Sequence, residues 1–82
     1  MRMIDRDRET SIKVLSIYLT VKEAKWMHRE LDKLLRDPEA NEHFHIDMGE
    51  GGREISCSIV TDRKLQNPSQ YNRLEQRVLS EK

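Results

Sequence analysis

Hydrophobic positions recur in separate blocks along the chain, and the spacing within each block predicts the element it forms. Ser11-Ile12-Lys13-Val14-Leu15-Ser16-Ile17-Tyr18-Leu19 is rich in β-branched and aromatic residues, which suit an extended, pleated backbone, so it reads as a strand. Leu15, Ile17 and Leu19 fall on one face, and Ile12, Val14 and Tyr18 on the other. A strand that is apolar on both sides needs cover from a helix or from another chain.

Thr20, with Glu23 three positions on, has the spacing of a capping box and predicts a helix from Val21 to Arg36, closed by Pro38. Ala24, Met27, Leu31, Leu34 and Leu35 follow the i, i+3, i+4, i+7 rule and predict the stripe that faces a sheet. From His43 to Met48 the pattern alternates, with Phe44, Ile46 and Met48 inward and His43, His45 and Asp47 outward. Gly49 to Gly52 tolerates a turn, and Glu54 to Thr61 alternates again, so the two runs predict a β-hairpin with Ile55, Cys57 and Ile59 on the inner face. Asn67 before Pro68 has the form of an N-cap followed by proline at the first helical position, predicting a second helix over Pro68 to Leu79 with Tyr71, Leu74 and Val78 along one side.

These elements predict an α+β domain of order β-α-β-β-α, in which a three-stranded sheet packs on the first helix. Residues 1–10 read as a charged tail and residues 11–82 as one domain. The outer face of the first strand is a surface that water should not keep. Self-association is therefore expected, with Val14, Tyr18, Tyr71, Leu74 and Val78 as the dimer surface, and the last helix packs within the chain or across to a second copy.

Composition narrows the function. At 82 residues, 35% hydrophobic and 37% charged, the chain has room for one thin core, which excludes a multidomain enzyme and argues against a large buried active site. Cys57 is the only cysteine, so no internal disulfide or cysteine-rich zinc framework can form and a reducing cytoplasm is the expected setting. The N-terminus lacks the apolar stretch of a signal peptide, and no run approaches the length that spans a bilayer, so no membrane association is expected. The formal net charge of zero hides three blocks. Residues 1–36 carry nine bases and six acids, residues 37–62 one base and seven acids, and residues 63–82 five bases and two acids. This alternation of sign suits pairing within or between copies and weakens the case for nucleic acid as a partner.

Two constellations stand out. Lys22, Lys25, Arg29, Lys33 and Arg36 form a basic stripe opposite the expected core face of the first helix, with Trp26 beside them. Lys25 with Arg29 and Arg29 with Lys33 are like-charged at i, i+4, which costs helix stability unless an anionic partner relieves it. Trp26, Lys22, Lys25, Arg29 and Lys33 are therefore the candidate partner-binding residues for an acidic protein surface, the alternative being a solvated face whose indole packs on the chain itself. His43-x-His45-x-Asp47 is the second constellation. His43 and His45 project side by side and are weak candidates for metal ligation or for a small histidine-using hydrolase; exposed strand residues are the plainer reading. No nucleophile elbow, phosphate loop or helical zinc motif occurs, and no cofactor, metal or catalytic residue is expected. A nucleic-acid-binding regulator is the remaining alternative.

The run Leu19-Thr20-Val21-Lys22-Glu23-Ala24, followed by Leu31, Leu34, Leu35, Asp37-Pro38-Glu39 and His43-x-His45, resembles small uncharacterised bacterial α/β domains, some labelled immunity proteins of polymorphic toxin systems. The resemblance spans roughly the central half of the chain and implies binding to a protein without catalysis.

Overall fold

The computed structural model describes residues 1–47 and 52–81. The elements are β1 (Ile4–Asp5), β2 (Thr10–Ser11), α1 (Val21–Arg36), β3 (His43–Asp47), β4 (Glu54–Ser58), α2 (Asp62–Leu65), a 3-10 turn (Pro68–Gln70) and α3 (Arg73–Leu79). The α+β class holds, but the predicted three-stranded sheet does not form. β1 pairs with β2, and β3 with β4, as two separate antiparallel ribbons. The chain divides into two units, Tyr18–Asp62 and Met1–Ile17 with the residues from Arg63 on.

In the central unit, α1 begins and ends where the cap and Pro38 predict. The Glu23 N–H donates to Thr20 Oγ1 at 3.2 Å and the Thr20 N–H donates to Glu23 Oε1 at 2.9 Å, so both halves of the capping box are made. The Thr20 N–H, and after it the Thr20 hydroxyl, favour the charged carboxylate and hold the Glu23 carboxyl below its ordinary value. Because the folded carboxyl is the stronger acid, the stabilisation is present above the ordinary carboxylate range and fades as pH falls through it. β3 and β4 pair as a hairpin with Phe44 opposite Cys57 and Ile46 opposite Ile55. Gly52 closes the turn region with φ +64, a left-handed conformation that suits glycine. Met48 and the first turn glycines lie outside the described residues.

The core of this unit is Leu34, Phe44 and Ile46, with Trp26, Met27, Cys57 and Ile59 packed against it. This corrects the expected helix face. Of the predicted stripe only Leu34 is buried and Met27 half-buried, while Ala24, Leu31 and Leu35 are exposed. At about 100° per residue, the buried arc runs from Trp26 to Met27 and is rolled by roughly 80° from the predicted one. A two-stranded ribbon offers α1 only a narrow strip. Filling that strip with an indole buries more apolar area than filling it with Leu31 or Leu35.

In the terminal unit, the stretch whose charge pattern predicts a tail forms a hairpin. β1 and β2 join through residues 6–9, where Asp5 Oδ1 accepts from the Asp7 and Arg8 N–H groups at 3.1 Å each and Glu9 takes φ 55. An Asp bonding the backbone two residues on is a turn former, and the left-handed residue reverses the chain. The ladder ends with the Ile12 N–H on the Met3 carbonyl at 2.9 Å. The expected strand Ser11 to Leu19 is thus reduced to its first residue, which belongs to β2.

The predicted Pro68–Leu79 helix is broken. Asn67 and Pro68 do open a helical turn, but only the 3-10 turn: the Asn67 side chain makes no cap bond and accepts from the Ser69 hydroxyl at 2.9 Å, Tyr71 is extended, and the α-helix is capped by Asn72, which forms a second capping box with Glu75. Gln76 Nε2 bridges the break by donating to the carbonyls of Pro68 and Tyr71 at 3.0 and 2.7 Å. Arg77 Nη2 reaches the Glu9 carbonyl at 2.8 Å and so fastens α3 to the hairpin turn. Val78 is buried at 1% exposure, and Lys64 is buried as well.

If the roll of α1 is as described, Leu34→Ala lowers unfolding stability by about 2–4 kcal/mol and Leu31→Ala by less than about 1 kcal/mol in chemical denaturation. Equal losses at the two positions would restore the face predicted from spacing.

Candidate functional site

The roll of α1 leaves two exposed strips side by side. One is apolar: Val21 at 73% exposure, Ala24, Leu31 at 37% and Leu35 at 63%, with His28 among them. The other is the basic stripe of Lys22, Lys25, Arg29, Lys33 and Arg36, all exposed. A shallow groove lined by Val21, Ala24, Lys25, His28 and Arg29 lies where the strips meet. The helix carries both by periodicity alone, since about 100° per residue sets Val21, Ala24, His28, Leu31 and Leu35 within roughly 80° and the cations within the next such arc.

The stripe is neutralised only at its C-terminal end. Lys33 Nζ lies 3.4 Å from Glu30 Oε1, and Arg36 Nη2 lies 3.0 Å from Asp32 Oδ2. Lys22, Lys25 and Arg29 have no acidic partner among the described residues. Their mutual repulsion is therefore uncompensated at the end of the helix where the macrodipole is positive, which makes this half of α1 the most electropositive part of the element.

Of the residues singled out from the sequence, Lys22, Lys25, Arg29 and Lys33 stand on this surface as expected. Trp26 does not stand free beside them. It is half-buried against the Leu34, Phe44 and Ile46 core, so its main contribution is to fix the roll that presents the other residues. Spacing places Ala24, Leu31 and Leu35 in the core, and nothing in the sequence pattern marks the strip as exposed. Of the expected dimer surface, Val14 and Tyr18 are exposed at 86% and 92%, whereas Tyr71 and Leu74 are half-buried and Val78 faces inward.

On β3, the His43 and His45 rings meet edge to face with centroids 4.6 Å apart, and His45 Nδ1 contacts Glu54 Oε1 across the hairpin. Asp47 opposes Glu54 in the ladder. This is a polar cluster on the outer face of a ribbon. Among the described residues, no group of three His, Cys, Asp or Glu side chains is placed to hold a metal ion. Cys57 packs on the core, and burial pushes its thiol pKa up, the opposite of what activates a nucleophile. No helix among the described residues is long and apolar enough to cross a membrane.

No family model matches the chain, and neither a curated protein nor a solved structure matches it.

The raised thiol pKa means that at pH 8 Cys57 carries less thiolate than a free cysteine. Its modification by a disulfide reagent should lag behind that of free cysteine in the native protein and match it in denaturant, as followed by absorbance. Native reaction as fast as free cysteine would contradict this environment.

Proposed function

We propose that the chain is a non-catalytic protein-interaction module whose α1 surface docks an acidic protein partner. One observation carries this reading: an exposed apolar strip of Val21, Ala24, Leu31 and Leu35 runs beside Lys22, Lys25 and Arg29, which lack acidic partners among the described residues. Apolar side chains supply the area of a dry contact, and the flanking cations supply orientation and fast encounter with a negative surface. Trp26 serves this surface from beneath by holding the helix.

A protein partner accounts for more of the surface than a nucleic acid does. Nucleic-acid contacts are dominated by phosphates and would use the cations but leave Val21 and Leu35 uncovered. A hydrolase built on His43 and His45 would use neither strip.

The test is affinity capture from the native cell with two variants, Lys25→Glu/Arg29→Glu and Leu35→Ala. The charge reversal should abolish capture of the partner, and Leu35→Ala should weaken it by roughly tenfold, the loss of about 1.4 kcal/mol of contact. Circular dichroism should show α1 intact in both. Capture indifferent to both changes would refute the reading, and loss in the charge variant alone, with steep salt dependence, would favour a nucleic acid.

A further inference from the structure

The segment between β2 and α1 has the composition of a strand and the surroundings of none. Residues 13–19 make no hydrogen bond to another described residue, although the pairing beside them runs up to Ile12. Their large side chains face water: Val14 is 86% exposed, Tyr18 92%, Leu15 49%, Ile17 46% and Leu19 38%. An apolar, β-prone stretch with open backbone groups is unstable as a solvated end state.

The sheet it lacks is present elsewhere in the same chain. Among the described residues, β4 is paired on one side, with β3. Burial falls across that ribbon, from Phe44 and Ile46 at 5% and 6% on β3 to the half-buried Ile55 and Cys57 on β4. The cause is that α1 packs against β3. The β4 edge is thus open both in hydrogen bonds and in apolar cover.

We propose that Val14–Leu19 of one copy adds as a third strand to the β4 edge of a second copy, and that the exchange is mutual. Leu15, Ile17 and Leu19 would extend the inner face beside Ile55 and Cys57. Val14 and Tyr18 would lie on the outer face, where the small side chains of Ser56 and Ser58 leave room for them. The six-residue segment matches the five-residue length of β4. Because every copy carries one unpaired strand and one open edge, a two-fold exchange satisfies both at once and leaves no growing end. Val14–Leu19 carries no charged residue and β4 only Glu54, so no like-charge repulsion opposes the pairing. This inference uses residues distinct from the α1 surface and stands or falls separately from the docking role.

The native Cys57 gives the test, since it is the only cysteine in the chain. Side chains on neighbouring strands have Cβ atoms about 4.5–5.5 Å apart, close to disulfide reach. Leu15→Cys, Ile17→Cys and Leu19→Cys are made singly in the full chain and oxidised mildly. The expected result is that at least one forms a reducible dimer of twice 9.8 kDa, with the bond mapped to Cys57 by peptide mass spectrometry and absent when Cys57→Ser is added. Sedimentation of the unmodified chain should give a dimer, and Ile17→Lys should give a monomer. A monomeric unmodified chain, an Ile17→Lys protein that stays dimeric, or a disulfide closed within one chain would each overturn the proposal; the last would show that the segment folds onto its own sheet. If Ile17→Lys fails to fold, the cysteine variants decide.

Discussion

A two-stranded ribbon can cover only one narrow strip of a helix, and that limit organises the central unit. Phe44 and Ile46 present two large side chains on β3, and α1 answers with Leu34, Trp26 and Met27. The indole takes the place that the leucine spacing reserves for Leu31 and Leu35, because burying the largest ring recovers the most apolar area per contact. Both strips on the outside of α1 follow from this choice.

The same limit explains why local signals matter so much here. With so few buried side chains, each element leans on bonds it makes with itself. α1 and α3 both open with reciprocal capping boxes, from Thr20 with Glu23 and Asn72 with Glu75. The β1–β2 turn is set by the Asp5 carboxylate on two backbone N–H groups. Each such bond satisfies a backbone N–H that the element would otherwise leave without a protein partner.

How much of this was legible in the sequence depends on whether the signal was local. The bounds of α1, the β3–β4 pairing and the inward set of Phe44 and Ile46 could be read, because caps and strict alternation act over a few residues. The split of the last helix could have been read too: Asn72 and Glu75 have the same spacing as Thr20 and Glu23, but Asn67-Pro68 is the more familiar start signal and drew the helix five residues early. The β1–β2 hairpin was hidden in a run of alternating charge that looks solvated whether folded or not. What could not be read is which apolar face wins when more apolar surface exists than partners to bury it. The unpaired fate of residues 13–19 and the roll of α1 are both cases of that competition, and of the candidate site only the cations were visible beforehand.

The tie from Arg77 to the Glu9 carbonyl joins positions 68 apart in sequence. During synthesis the β1–β2 hairpin leaves the ribosome early, yet the arginine that fastens it is made after the whole of the central unit. Residues 18–62 can therefore complete their own core first, while the hairpin waits open for α3. The hairpin is thus secured only after the central unit between it and α3 has been made.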